Sequence, residues 1–315
     1  METIKQPLVC IVTVNWNGGD RIYQCIESLV KITEYDNYKI IISDNGSTDG
    51  SCERIEKDFP QVEILRLKEN LGWTIGINSG WTYAFKKYDP DYMVDMNDDL
   101  ITVQKDWLTI MVNCLEEKEE RVICGNKLLF PDNRVQLLYM DRVPKEYEEK
   151  DNGQFDYIKE VSGVGGANML IKRSLINKMG AVDENYFYGP DDLDYCLRAK
   201  KLGYKIIYNG FSKSIHIGSF SYLSASKDFI YKHYSYGGML VTFRHGNAKE
   251  ILSIILHELA RAFITRKDPF KKTSFNNIYF HPTCLKRLWY FFPSFFRAIW
   301  NINKVNTEHF INERL

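Results

Sequence analysis

Hydrophobic positions in the first third of the chain fall into alternating blocks of two kinds. Leu8–Val14 is a continuous apolar run rich in β-branched residues, which predicts a strand buried on both faces. Asn17-Gly18-Gly19-Asp20 ends it, and Ile22, Ile26, Leu29 and Val30 then recur at helical spacing behind Asp20 as a cap. The alternation continues through a strand at Lys39–Ser43, a helix at Ser51–Phe59, a strand at Val62–Leu67, a helix at about Ile75–Lys86 and a strand at Tyr92–Met96. Repeated βα units predict a parallel sheet with helices on both faces, and such sheets bind ligands beyond the carboxyl ends of their strands. Polar residues collect there, at Asn15–Asn17, Asp44–Asp49 and Asn97–Asp99. Turns use Asn and Asp for structural reasons, but three strand ends loaded this way exceed what turn chemistry requires.

The pattern then changes. Pro131–Tyr157 is charged, rich in turn formers and reads as an excursion. The glycine-rich stretch Ser162–Ala167 leads into a strand at Asn168–Lys172. Gly189-Pro190 opens a helix over Asp191–Leu202, Gly203 closes it, and Lys205–Tyr208 is a further strand. Beyond Ser226 the spacing is helical and amphipathic, with Ile251, Ile254, Ile255, Leu259 and Ala262 on one face. Leu288–Phe296 is densely aromatic, flanked by Lys286, Arg287 and Arg297. The expected organisation is one α/β domain over residues 1–225, halved near residue 100, and a helical region over 226–315.

Composition adds limits. A chain of 315 residues can bury a core without disulfides or a structural metal. Its 44 % hydrophobic and 14 % aromatic content excludes a disordered chain. Forty-one basic residues cancel forty-one acidic ones, so there is no nucleic-acid footprint. That zero hides an asymmetry: from Arg244 onward, 12 Lys or Arg face 5 Asp or Glu, a net of +7, leaving −7 for the rest. Seven widely spaced cysteines, without a CxxC pair, argue against a disulfide framework and fit a reduced, cytoplasmic setting. The N-terminus has no signal-peptide pattern, and no apolar run is long enough to span a bilayer.

Two acidic motifs bear on chemistry. Asp44, at the tip of a strand in DNGSTDG, could accept hydrogen bonds from a base N–H or a ribose hydroxyl, or simply organise an Asx-turn. In Asn97-Asp98-Asp99 an apolar strand ends in adjacent carboxylates, costly unless water or a cation sits among them. Hard divalent ions take such oxygens and share phosphate oxygens with a substrate.

Taken together, Val14–Gly18 (VNWNG), DNGSTDG, Asn70–Asn78, Asn97–Asp99 and Gly166–Asp194 resemble family 2 glycosyltransferases of the GT-A fold, nearest the bacterial rhamnosyltransferase-like branch. The resemblance covers roughly Pro7–Phe220. It implies an α/β, Rossmann-like nucleotide-diphospho-sugar transferase fold with a mainly helical C-terminal appendage. It further implies an inverting transfer from a dTDP- or UDP-sugar, with rhamnose or a related hexose moved to a polysaccharide or lipid-linked glycan. On this pattern Asp44 is similar to the nucleoside-binding aspartate. Thr13, Asn15, Asn78, Asn97, Asp98, Gly165 and Gly166 fall with it in the implied donor site. Asp99 corresponds to the last residue of the family's Asp-x-Asp motif and is the expected ligand of Mg²⁺ or Mn²⁺. Asn97 departs from that motif's first Asp. His216, after a late strand, is a candidate further metal or diphosphate ligand. Asp192 matches the second acidic position of the family's Glu-Asp-x-Asp and is the implied general base, whereas helix capping would explain the same carboxylates. Arg244 could reach a diphosphate or lie on a helix surface.

The basic, aromatic tail has two readings: an interfacial helix pair on an anionic membrane where a lipid-linked acceptor lies, or a docking face against the catalytic domain or in a homodimer. Two rival functions remain open. An NAD-dependent oxidoreductase needs Gly-x-Gly-x-x-Gly after the first strand, which Asn15–Gly19 does not supply. An inactive carbohydrate-binding relative should lack carboxylates at 99 or 192, and both are present.

Overall fold

The structure is a computed structural model, and it describes residues 6–140, 149–187, 189–218, 227–263 and 284–310. The chain divides into two compact units. The first takes the chain up to Glu184, Asp192–Gly218 and the residues from Thr307 onward; the second takes Asn185–Asp191 and Ser219–Asn306. The boundary expected near residue 225 falls outside the described residues.

The first unit is built on one ten-stranded sheet. β1 (Val9–Asn15), β2 (Tyr38–Asp44), β3 (Glu63–Arg66) and β4 (Tyr92–Met96) form its parallel part, in the order β3-β2-β1-β4. Every residue of β1 is buried, as its unbroken apolar run requires. Helices α1 (Gly19–Ile32), α2 (Ser51–Asp58) and α3 (Trp73–Lys87) cross between these strands. α3 lies unusually close to β1: a Cβ at Gly76 would stand 2.8 Å from a Val14 methyl, and one at Gly80 would stand 2.4 Å from a Val12 methyl. Two glycines one turn apart therefore let helix backbone approach strand.

Beyond β4 the wholly parallel expectation fails. β9 (Asn168–Lys172) runs antiparallel between β4 and β6 (Arg121–Leu129), pairing Val94 with Leu170 and Cys124 with Leu170 from its two sides. A buried apolar strand reads the same in either direction, so its sequence does not disclose its polarity. β10 (Lys205–His216) runs parallel to β6 and antiparallel to β5 (Leu100–Thr102) and β8 (Ile158–Val161); β7 (Val135–Leu137) pairs with β6. Where a strand at Lys205–Tyr208 was expected, β10 continues to His216 through a register shift between Asn209 and Lys213. That extension carries His216 to the pairing position opposite Leu100. Helices α4 (Trp107–Glu116), α5 (Arg173–Met179) and α6 (Asp191–Lys201) follow in chain order. Six cysteines, Cys10 through Cys196, are free and buried.

The second unit is helical: α7 (Lys227–His245), α8 (Ala248–Phe263) and α9 (Cys284–Asn301). They close around Tyr186, Tyr236, Met239, Leu240, Phe243, Phe291 and Ala298, against which Ile251, Ile254, Ile255 and Leu259 pack as their spacing predicts. The side chain of Ala262 lies outside the described residues. Arg244 has a structural role here. It donates to the carbonyls of Asn301, Ile302 and Lys304, at and just past the end of α9. No described helix is long and apolar enough to cross a membrane.

Candidate active site

The tips of β1 and β2 form one hydrogen-bonded cluster. Asn15 Nδ2 lies 3.1 Å from Asp44 Oδ1, Ser47 Oγ and Ser51 Oγ, while its Oδ1 accepts from Gly18 N–H at 3.1 Å. Asp44 Oδ2 accepts from Ser47 N–H at 3.2 Å, and Asp49 takes N–H groups from Gly19 and Ser51. The sequence folds this way because short Asn, Asp and Ser side chains satisfy turn N–H groups that no ladder reaches. Asp44 and Asn15 are thus buried organisers of the loop. Beneath them the Thr13 hydroxyl is buried with no hydrogen-bond partner. Between Asn15 and Asn17 the indole of Trp16 is 49 % exposed, an aromatic face at the strand tip that polar-cluster reasoning passed over.

The Asn97-Asp98-Asp99 turn separates its two carboxylates. Asp98 pairs with Arg21 of α1, Nη2 at 2.6 Å and Nε at 3.1 Å to the same oxygen. Burial pushes the Asp98 carboxyl up to about 6, with Arg21 pulling the other way. Asp99 turns instead to the end of β10. Its Oδ1 lies 3.0 Å from His216 Nε2, and its Oδ2 accepts from Gly218 N–H at 3.0 Å. Burial would raise the Asp99 carboxyl, but the positive charge that His216 carries when protonated, Arg21 and the Gly218 N–H outweigh it and hold it below the ordinary range. Asn97 Nδ2 reaches the same His216 nitrogen at 3.1 Å. On its other side His216 Nδ1 faces Gln136 Oε1 at 2.5 Å.

A backbone bond joins this cluster to the glycine-rich turn: Asn97 N–H donates to Ala167 O at 3.1 Å. One residue earlier, Gly166 N–H donates to Asp192 Oδ2 at 2.8 Å, and Asp192 Oδ1 accepts from Leu193 N–H at 2.7 Å. A Cβ at Gly166 would stand 3.2 Å from the Asp192 side chain, so glycine admits this contact. Burial pushes the Asp192 carboxyl above the ordinary range, against the pull of those two N–H groups. Its neighbour Asp194 is fully buried and paired with Arg198 at 2.9 Å.

Two expected donor-site residues make contacts within the fold. Asn78 is fully buried in α3, donating to Val182 O at 3.0 Å and Glu184 Oε1 at 2.7 Å. Its side chain ties α3 to the segment Val182–Glu184. Gly165 serves close packing, since a Cβ there would stand 2.6 Å from a Leu137 methyl.

The residues fit a divalent cation. Asp99 Oδ1 is a buried anionic oxygen that accepts no hydrogen bond, and it faces an imidazole nitrogen. Asp99 and His216, with Asn97 beside them, could hold an ion whose remaining positions are filled by phosphate oxygens and water. Among the described residues no cluster of three His, Cys, Asp or Glu side chains could enclose one without such a ligand.

The mixed α/β sheet, with its polar strand tips and a carboxylate hung on a glycine turn, defines a GT-A glycosyltransferase fold. The chain belongs to glycosyl transferase family 2, which residues 9–180 match. It is similar to the N-acetylglucosaminyl-diphospho-decaprenol L-rhamnosyltransferase of Mycobacterium tuberculosis, at 23 % identity over 65 % of this chain and 75 % of that one. It also resembles the O-antigen biosynthesis protein RfbC of Myxococcus xanthus, at 21 % identity over 67 % of this chain. The chain spans only 24 %, 17 % and 34 % of the lengths of three curated relatives that it matches. A solved structure of the mannosyltransferase PcManGT from Pyrobaculum calidifontis, in complex with GDP-Man and Mn²⁺, shares the fold at a TM-score of 0.55 and 12 % identity, over 95 % of this chain and 88 % of that one.

Proposed function

We propose that this glycosyltransferase moves a hexose, rhamnose or a close relative, from a dTDP- or UDP-sugar to a hydroxyl of a growing surface polysaccharide or lipid-linked glycan, with inversion. The observation that carries the reading is the chain of contacts Asp99–His216, Asn97–Ala167 and Gly166–Asp192, which brings Asp99, His216 and the Asp192 carboxyl onto neighbouring turns. Asp192 takes the proton of the acceptor hydroxyl as its oxygen attacks the anomeric carbon. The carbon–diphosphate bond breaks on the opposite face, so a single displacement inverts the configuration. A Mg²⁺ or Mn²⁺ held by Asp99 and His216 would offset the charge gathering on the leaving diphosphate. Asp44, Asn15 and Thr13 shape the nucleoside end, and Trp16 offers a face for the base. The relative named a rhamnosyltransferase supports the choice of sugar.

The second unit supports a place at an anionic membrane. Trp289, Phe292, Phe296, Ile299 and Trp300 are exposed, and their spacing puts them on one face of α9. That helix carries Lys286, Arg287 and Arg297 and no acidic residue. Tryptophans beside basic residues suit the headgroup boundary of an anionic bilayer.

A thermal-shift screen of dTDP- and UDP-sugars with and without Mn²⁺, followed by NMR of the product's anomeric centre, tests the reaction. A metal-dependent shift and an inverted product are expected. A retained configuration, or full turnover in EDTA with Asp99→Ala, would contradict it.

A further inference from the structure

We infer that Gln136 is a positioning residue for His216: it holds the imidazole in the Nδ1–H tautomer and presents a bare Nε2 to the cation. The inference rests on the metal reading above and deepens it.

Two contacts fix the orientation of the Gln136 amide. Its Nε2 lies 3.3 Å from the carbonyl oxygen of His216, which can only accept, so the NH₂ group belongs on that side. Its Oε1 therefore faces His216 Nδ1, at 2.5 Å. An amide oxygen has no proton to give, so the proton of this contact sits on Nδ1. In the neutral ring Nε2 then carries a lone pair.

Of the two groups around Nε2, Asn97 agrees with that assignment and Asp99 calls for a positive charge beside it. Asn97 Nδ2 approaches it at 3.1 Å as a donor. Asp99 Oδ1 approaches it at 3.0 Å as an acceptor, and that oxygen receives no hydrogen bond. A lone pair facing a carboxylate oxygen is unfavourable until a cation lies between them. Without Gln136 the ring could move its proton to Nε2 and donate to Asp99, closing the two ligands on each other.

The backbone is arranged for this contact. Gln136 lies on β7, which pairs with β6 through Leu137–Leu128 and Val135–Leu129. Gly218 has φ of 76°, and a Cβ there would stand 2.8 Å from Gln136 Nε2. The same Gly218 donates its N–H to Asp99 Oδ2. Partners that orient a metal-binding histidine in this way are worth about 10–100-fold in metal affinity. Gln136 sits in the charged excursion after residue 130, where only its place beside β10 reveals it.

The test uses the full-length protein and Mn²⁺ alone. Proton–nitrogen NMR of the metal-free imidazole reads the tautomer, and EPR of free Mn²⁺ reads the affinity. In the native chain Nδ1 should be protonated and Nε2 bare. Gln136→Leu should shift the ring toward Nε2–H and weaken Mn²⁺ about 10–100-fold. Gln136→Glu, which keeps an acceptor facing Nδ1, should restore affinity to within a few-fold. Adding Gln136→Leu to His216→Ala should cost nothing more. If Asp99→Asn and His216→Ala lose Mn²⁺ while Gln136→Leu binds like the native chain, the positioning role is wrong and the metal reading stands. If Asp99→Asn and His216→Ala bind Mn²⁺ unchanged, the metal reading fails and this inference fails with it.

Discussion

Asp95 is a buried carboxyl outside the set proposed to contact donor or cation. It is the penultimate residue of β4, with Trp81 Nε1 donating to it at 2.7 Å. Burial pushes it up to about 8, Trp81 pulls it back, and Asp192 adds to the rise. The folded chain therefore holds a proton that the unfolded chain, with an ordinary Asp near 4, releases. From about pH 4 to pH 8 the native state binds more protons, so stability falls as pH rises, by up to about 1.4 kcal/mol per pH unit. Asp95→Asn keeps an acceptor for Trp81 and removes the titration. Urea midpoints between pH 6 and 8 should fall more steeply in the native chain than in this variant. Equal slopes would show that Asp95 is not the group responsible. At this scale the sequence was informative where residue type and position coincide. Asp99, Asp192 and Asp44 stand at strand or helix ends; the folded chain joins the turns of Asp99 and Asp192 through Asn97–Ala167 and Gly166, and puts Asp44 in the cluster at the tips of β1 and β2. Arg21, Gln136 and Trp81 were not legible, because nothing in their neighbourhoods announces partners 60 or more residues away or across a helix.

Among the elements, β6 carries a buried charge paired with Asp151 and Asp156 of the excursion. Lys127 is 1 % exposed, with Asp151 at 2.7 Å and Asp156 at 2.5 Å. Breaking a buried pair from one side leaves the other charge uncompensated, at about 3–5 kcal/mol. Lys127→Met should cost that much in urea unfolding, and adding Asp151→Asn should recover part of it. A near-neutral single variant would mean that Asp151 reaches water without its partner. α9 poses a different question. Trp289→Ser with Phe296→Ser and Trp300→Ser removes exposed side chains that the helical core does not use. The native chain should sediment with phosphatidylserine vesicles and lose binding as salt screens the basic residues. The triple variant should stay in the supernatant; unchanged sedimentation would assign the stripe to another partner. Periodicity revealed β1 through β4 and the helical face of α8. It did not reveal the antiparallel β9 or the length of β10, since pairing direction and a mid-strand register shift are decided by neighbours.

At the scale of the whole molecule, the last described residues belong to the first unit, although helices of the second unit precede them. Thr82 Oγ1 donates to His309 O at 3.0 Å, His309 N–H donates to Glu184 Oε1 at 3.0 Å, and Phe310 stacks edge-on against Trp81 and Phe85. Glu184 also accepts from Asn78, so the C-terminal residues help hold the helix whose N-terminal turn follows the Asn70–Gly72 motif. An order of helices read along the chain could not show this return, because four residues carry no periodicity. In the proposed reaction the Asp192 carboxylate, hung from Gly166, deprotonates the acceptor in an inverting transfer. Asp192→Asn tests it most directly, since the amide keeps the shape and removes the proton acceptor. Turnover with the nucleotide sugar that the native enzyme uses should fall by about 10²–10⁴-fold, with donor affinity nearly unchanged. Near-native turnover in Asp192→Asn would contradict the claim and leave Asp192 as the cap of α6.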